Sequence, residues 1–170
     1  MIDALTRAPT PSDLDQLAQL LADAVDSGAS VSFMRPFSVD SAREWWRTTL
    51  ERADPRAIVL VARDDLGIVG SVSLHPAWPP NQPHRADIKK LLVHRSVRGH
   101  GVGAALMAQV EEEARRRGRW LLVLDTVPGE NGHRLYLRAG WTQTGLVPNY
   151  ALFPDGRLCD TAIMWKRLER

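Results

Sequence analysis

Glycines alternate at Gly99, Gly101 and Gly103, between an apolar run and the start of a helical pattern. The segment reads Leu91-Leu92-Val93-His94-Arg95-Ser96-Val97-Arg98-Gly99-His100-Gly101-Val102-Gly103-Ala104-Ala105-Leu106. Glycines so spaced let a backbone approach a ligand where side chains would obstruct it. The helix N-terminus beyond the turn offers free N–H groups and the positive end of a dipole, and both favour a pyrophosphate. Arg98 adds a charged donor capable of bidentate contact. A second indication of chemistry is Asp125, at the end of the apolar strand Leu121-Leu122-Val123-Leu124. A carboxylate is unexpected there unless it reaches an opening or a partner. Asp87 starts the other strand of the same presumed site.

The elements that must position these groups follow from periodicity and punctuation. Ile2–Arg7 is expected as a short strand. Thr10 as cap and Pro11 at the first helical position start a helix that carries Leu14, Leu17, Ala18, Leu21, Ala24 and Val25 on one face and stops at Gly28. A second helix from Ser38 or Asp40 to Ala53 buries Ala42, Trp45 or Trp46, Thr49 and Leu50. Ala57–Ala62 and Ile68–Leu74 read as a hairpin across Asp64-Asp65-Leu66-Gly67. Pro76, Pro79, Pro80 and Pro83 then make a stiff connection that holds neither helix nor central strand. Ile88–Val93 is a strand and Gly99–Arg117 an amphipathic helix with Val102, Leu106, Val110 and Ala114 at fourfold spacing. Leu121–Leu124, Trp141–Val147 and Arg157–Lys166 are further strands, with a short helix over Asn131–Ala139. Without a repeat or linker, 170 residues make a single domain, 1–170, of α+β type with a mixed sheet.

Bulk properties narrow the partners. A net charge of +2 makes no case for nucleic acid. The basic run Arg115-Arg116-Arg117-Gly118-Arg119 follows Glu111, Glu112 and Glu113 by one helical turn, so it reads as a solvated helix end with i,i+4 pairs. No window approaches about 18 apolar residues, so no membrane span is expected. The N-terminus lacks a signal stretch, which makes a cytoplasmic protein the default expectation. The five histidines, His75, His84, His94, His100 and His133, lack metal-ligand spacing, and Cys159 is the only cysteine, so no metal is implied. Cys159 has no neighbouring histidine in sequence to activate it as a nucleophile.

Three ligands compete for the glycine turn. A P-loop requires Gly-Lys-Ser/Thr, which is absent. A dinucleotide turn is satisfied by Gly99, Gly101 and Ala104, with Asp125 about 20 residues on. Against it, Arg95–Arg98 separate the strand from the first glycine, and no repeated β-α-β units follow Asp125. The third ligand is acyl-CoA. Arg98-Gly99-His100-Gly101-Val102-Gly103 resembles the R/Q-x-x-G-x-G/A cofactor signature of the GNAT acetyltransferase superfamily. Leu135-Tyr136-Leu137-Arg138-Ala139-Gly140-Trp141 is similar to the L-Y-x-x-x-G-F segment that follows in those proteins, and the order of elements agrees. Gly28–Phe33, His84–Leu91, Leu124-Asp125-Thr126 and Pro154–Leu158 further resemble the tabtoxin-resistance branch.

The resemblance implies a GNAT fold: a twisted mixed sheet splayed open between the strands at Leu91 and Leu122, with helices on both faces. It implies direct attack of an amine on acetyl-CoA. Leu91, Leu92 and Val93 would offer backbone to the pantetheine arm, and Arg98, Gly99, His100, Gly101, Val102, Gly103 and Ala104 would hold the pyrophosphate. Tyr136 would be the general acid for the departing thiolate. Asp125 and Asp87 would bind and orient the ammonium; a carboxylate near pKa 3.9 lies about 5 to 6 units below such an amine and is a poor base for it. Asp87 stands where the branch commonly has a longer Glu, and Gly129 stands where many members carry an Asn. Phe33, Trp78 and His84 are the candidate substrate contacts, although packing or a surface loop accounts for such residues equally. The implied substrate is a small amino-acid-like amine, and a homodimer is common in the superfamily. An aminoglycoside or protein N-terminus as acceptor, and an acyl-CoA sensor without turnover, remain alternatives.

Overall fold

The computed structural model describes residues 1–5, 9–65 and 67–169. The first strand, β1 (Ile2–Ala4), covers only the start of the expected Ile2–Arg7 strand; Thr6 and Arg7 lie outside the described residues. Helix α1 (Pro11–Asp26) starts with a reciprocal cap. Thr10 Oγ1 accepts from the Asp13 N–H at 3.1 Å, and the Asp13 carboxylate accepts from the Thr10 N–H at 3.1 Å. Two donors that the helix cannot satisfy internally are paired this way. The helix ends at Ser27, and Gly28 follows at φ +88, a left-handed conformation glycine adopts without a Cβ penalty. Helix α2 (Val39–Glu51), capped by Ser38, buries Ala42 and Trp46, and the Trp46 indole donates to the Leu17 carbonyl at 3.1 Å. Trp45, one position earlier, is left half-buried.

The remaining elements are β2 (Ile58–Asp64), β3 (Gly67–Pro76), β4 (Arg85–Val93), α3 (Val102–Arg116), β5 (Leu121–Thr126), α4 (Asn131–Arg138), β6 (Thr142–Leu152) and β7 (Leu158–Arg167). The strands form one sheet in the order β1-β2-β3-β4-β5-β7-β6. Every neighbouring pair is antiparallel except the central β4 and β5, which are parallel. This is the expected α+β architecture with a mixed sheet. Alternate strand residues face opposite layers. Val61, Ile68 and Leu92 pack with Leu17, Leu20, Leu21 and Trp46 of α1 and α2. Leu60, Val72, Leu74, Ile88 and Leu122 pack on the other side with Leu106, Val110 and Tyr136 of α3 and α4.

Several boundaries differ from expectation. Helix α3 begins at Val102 rather than Gly99, because Gly99 and Gly101 take φ +84 and +82, which an α-helix excludes. Strand β5 continues through Asp125 to Thr126, and β6 runs to Leu152 rather than Val147. The Glu111–Arg115 pair is absent. Glu111 lies on the buried stripe of α3 and accepts from Lys166 Nζ at 2.7 Å and from the Trp141 indole at 3.0 Å. Glu112 pairs with Arg115, and Glu113 with both Arg116 and Arg117.

The parallel pair creates the opening. Arg85, Ala86 and Asp87 face Leu121, Leu122 and Val123 in register, and there the pairing stops. Strand β4 continues to Val93 and β5 to Thr126 as separate walls. The split thus begins just past Val123, between the two strands expected to splay. A bulge accompanies it. Along β3 the partners jump from Ser73↔Lys89 to Ser71↔Leu92, which leaves one extra residue on β4, and Lys90 takes φ +53. Such a bulge bends the strand and increases its local twist.

Candidate active site

The bulge is held by two buried hydroxyls of β3. Ser73 Oγ donates to the Lys89 carbonyl at 2.9 Å and Ser71 Oγ to the Lys90 carbonyl at 3.2 Å. Both carbonyls are thereby fixed on the β3 side, while the edge of Ile88–Val93 that faces the opening has no ladder partner on β5. Leu92 turns toward α1, and Leu91 packs against the α3 layer.

Beyond Val93 the chain makes one tight turn, Arg95–Val97, capped by His94, whose Nδ1 accepts from the Ser96 N–H at 3.3 Å. It then enters the glycine turn. A methyl placed on Gly99 or Gly101 would meet no atom within 4 Å, so these two glycines are required by their positive φ and border open space. Gly101 caps α3 without a side-chain hydrogen bond, which leaves the first-turn N–H groups of a 15-residue helix available at that space. Arg98 is engaged elsewhere: Nε donates to the Val93 carbonyl at 3.0 Å and Nη2 to Ser27 Oγ at 2.9 Å. It fastens the turn to the end of α1. His100 is exposed, with Nδ1 3.1 Å from the Arg98 carbonyl.

Close contacts bring four elements to the far end of the opening. A methyl on Gly103 would lie 3.6 Å from Val93 Cγ2 and 3.9 Å from Leu135. One on Gly132 would lie 3.4 Å from Thr126 Oγ1 and 3.6 Å from the Tyr136 ring. The end of β4 and the start of α3 therefore meet α4 at Leu135, and the end of β5 meets it beside Tyr136. Its ring is buried beside Trp141, with centroids 5.9 Å apart, and no hydrogen bond of its hydroxyl is seen among the described residues. Burial, with the negative charge of Asp125 second, pushes the Tyr136 phenol far above its ordinary range. It stays protonated and able to donate.

Asp125 projects on the face opposite Leu124. It is exposed, and Thr161 Oγ1 lies 3.4 Å from Oδ2. Asp87 starts β4 on the same face but is paired with Arg85, whose Nη1 donates to Oδ1 at 2.5 Å. Phe33 stands in the loop after α1, stacked on Phe37 at 4.4 Å and edge-on to Trp45 at 5.3 Å. That loop is tied across the face to the β6–β7 hairpin. Ser30 Oγ donates to the Leu152 carbonyl at 3.0 Å, Arg35 N–H to the Pro154 carbonyl at 3.0 Å, and the buried Cys159 thiol sits 3.5 Å from Ser30 Oγ.

Two of the expected substrate contacts are not brought here. Trp78 is 85% exposed, and His84 stacks on Trp120 at 4.4 Å. Both precede Arg85, at the end where β4 and β5 are still paired, so they lie outside the split, which begins past Asp87 and Val123. One group that sequence reasoning passed over does reach the face. Lys90 Nζ donates to the Val31 carbonyl at 2.7 Å and to Ser32 Oγ at 3.1 Å, 5.3 Å from the centroids of both Phe33 and Trp45. Burial, reinforced by Lys89 and opposed by Asp125, lowers its pKa to about 8. The available signal was a pair of lysines inside an apolar strand, which regular alternation cannot accommodate.

A seven-stranded mixed sheet split at its central parallel pair, with a glycine turn and an uncapped helix at the mouth of the split, defines a class. Residues 17–141 match the acetyltransferase (GNAT) family, and the chain belongs to it. Among individual relatives, it is 34% identical over 93 residues to the aminoalkylphosphonate N-acetyltransferase of Salmonella typhimurium, covering 54% of this chain and 60% of that one. It is 25% identical to the L-methionine sulfoximine/L-methionine sulfone acetyltransferase of Pseudomonas aeruginosa over 93% of this chain and 91% of that protein. A putative acetyltransferase from Salmonella typhimurium, solved with its cofactor acetyl-CoA, shares the fold at a TM-score of 0.78 and 21% identity, covering 100% of this chain and 94% of its own. The match to the first of these spans less than two thirds of that enzyme's length.

Proposed function

We propose that this chain moves an acetyl group from acetyl-CoA to the primary amine of a small amino-acid-like molecule, by direct attack within a ternary complex. The observation that carries the donor half is the glycine turn. Two glycines held at positive φ border open space and lead into an uncapped helix N-terminus beside a strand edge freed by the split. That arrangement suits a pyrophosphate followed by an extended amide-bearing arm. Gly99–Ala104 would hold the pyrophosphate through main-chain N–H groups, and Leu91–Val93 would offer backbone to the arm. Bound acetyl-CoA supplies an activated thioester. Arg98 would position the turn rather than touch phosphate, given its bonds to Val93 and Ser27.

The chain's own groups then divide the work. Tyr136, kept protonated, would donate to the departing sulfur. Asp125, exposed on the open face with Thr161 beside it, would hold the incoming ammonium. Asp87 would contribute less, because Arg85 already neutralises it. The loop at Ser30–Arg35, pinned to the β6–β7 hairpin, roofs that face and favours a small acceptor over a polypeptide. The similarity to the Pseudomonas aeruginosa enzyme over nearly the whole chain supports an amino-acid-like acceptor, as does the resemblance of four segments to the tabtoxin-resistance branch.

The test is calorimetric and thermal-shift titration with acetyl-CoA and CoA, against NAD and ATP. At 100 times the dissociation constant a ligand adds about 2.7 kcal/mol, or roughly 5–10 °C for a chain this size. Selective binding of the CoA ligands, lost in Gly101→Glu, is the expected result and opens a screen of amines. Binding of NAD instead, or no binding, would remove the reading of the glycine turn.

A further inference from the structure

The open face carries a cation that the acetyl-transfer scheme does not use. Lys90 sits at the bulge, and its ammonium is held by two neutral acceptors, the Val31 carbonyl and Ser32 Oγ. No carboxylate lies within ion-pair distance of it among the described residues, although most other basic side chains near α1 and β4 are so paired. Both ends of this contact are backbone exceptions. Lys90 has φ +53 and Ser32 φ +83, and neither is glycine, so the fold tolerates two left-handed residues to bring them together. The aromatic rings of Phe33 and Trp45 flank the ammonium and strip it of water. Asp125 shares its face of the sheet and is close enough to act on it electrostatically.

A half-buried ammonium has three donors, of which two are occupied here. Its charge lacks a counter-ion, and charges in that state are costly unless a partner arrives. On the same face Asp125 presents the opposite charge, also without a basic partner within ion-pair distance among the described residues. A ligand with an ammonium at one end and an anion at the other would satisfy both walls at once.

We propose that Lys90 is a specificity-determining residue that pairs with the anionic group of a zwitterionic amine substrate, a carboxylate or phosphonate carried on or next to the amine-bearing carbon. This rests on the acetyl-acceptor role given above to the face around Asp125. Lowering of its pKa to about 8 by burial fits a charge that waits for its counter-ion, since the arriving anion would restore the protonated form.

Matched probes separate this from a structural role. Initial rates are measured with 1-aminoethylphosphonate against ethylamine, and with L-methionine sulfone against 3-(methylsulfonyl)propylamine, for wild type, Lys90→Met and Lys90→Arg. Binding of each probe in the presence of CoA is followed by calorimetry. Lys90→Met should raise KM for the anionic member of a pair by about 30-fold or more, the lower end of the effect of deleting one partner of a desolvated ion pair. The plain amine should change by less than threefold, and Lys90→Arg should recover part of the selectivity. A merely structural lysine would impair both members equally, and that result overturns the proposal. So does a wild type that acetylates plain amines and rejects the anionic ones, while leaving the acetyl-acceptor reading intact. A wild type that binds CoA but neither binds nor acetylates any of the four probes removes that reading, and this proposal with it.

Discussion

Replacing Tyr136 by Phe deletes one oxygen and tests whether that oxygen meets the departing sulfur. Because no hydrogen bond of the hydroxyl is seen among the described residues, its loss should cost the fold little. Stability should change by about 1 kcal/mol at most, which for this length is a Tm shift of about 4 °C or less. The catalytic effect follows from the raised pKa. An ordinary phenol stands about 1.5 units above a thiol, and burial with the Asp125 charge widens the gap. Complete proton transfer is therefore uphill, and the phenol should act chiefly as a hydrogen-bond donor to the developing thiolate. A bond to a charged group is worth about 1.5–3 kcal/mol, so kcat should fall about 10- to 150-fold. KM for acetyl-CoA should hardly move. The kcat profile of the wild type should show no falling limb from this tyrosine up to about pH 10, and Asp125→Asn should bring the phenol's pKa down toward its usual value. The assay is release of free CoA thiol under saturating acetyl-CoA, beside a melting curve. A variant that keeps kcat within threefold of wild type at unchanged Tm would refute the reasoning.

Gly101→Ala places a side chain at φ +82, where a non-glycine residue costs about 1–2 kcal/mol, and puts a methyl into the space bordering the helix N-terminus; CoA affinity by calorimetry should drop more than Tm does. Gly70→Val should destabilise by about 1–3 kcal/mol, because a Cβ there would already sit 2.9 Å from Leu106 Cδ1 and 3.1 Å from the Leu92 carbonyl; urea titration measures it. Lys166→Met strands the Glu111 carboxylate, 6% exposed, with only the Trp141 indole, and should cost about 3 kcal/mol, most of it recovered in Lys166→Met/Glu111→Gln; a double-mutant cycle in which the two changes simply add would refute the pairing. Lys90 adds a pH signature. Its folded pKa of about 8 lies below the ordinary 10.5, so the unfolded chain binds more protons between these values. The resulting destabilisation is full below pH 8, fades as pH rises through that window and is absent above it, so wild type should gain stability relative to Lys90→Met from pH 8 to 10.5.

The helices and the glycine turn were legible because local chemistry specifies them. Thr10, Asp13 and Gly28 mark both ends of α1 through backbone groups a few residues away, and Gly99 and Gly101 sit where only glycine is comfortable. Glu111 was misread although the signal existed: it lies four residues after Met107 and three before Ala114, on the apolar stripe, where a carboxylate must find a buried partner. That partner, Lys166, lies 55 residues away, beyond any local rule. The position of Trp78 and His84 before the paired end of β4 and β5 is hidden from local rules for a similar reason. Proximity in sequence to β4 does not say which end of the strand opens, and that depends on how far β5 stays paired. The role of Arg98 was hidden too, since its partners Val93 and Ser27 belong to two different elements.

The irregularity at Lys90 links these observations. Before it, Ala86 and Ile88 face the α3 layer; after it, Leu92 faces α1 while Leu91 joins the α3 side. A regular strand with this sequence would have to place one of the lysines in the α3 core or turn Leu92 away from α1. One extra residue resolves the conflict, and Ser71 and Ser73 hold the displaced carbonyls. The bend that accompanies a bulge also carries β4 away from β5. The same local conflict between hydrophobic pattern and strand alternation thus accounts for the opening, the freed strand edge and the position of the Lys90 ammonium. Deleting one residue of the Lys89–Lys90 pair should therefore extend the β4–β5 ladder past Asp87, and hydrogen exchange at Ile88–Val93 would slow if it does.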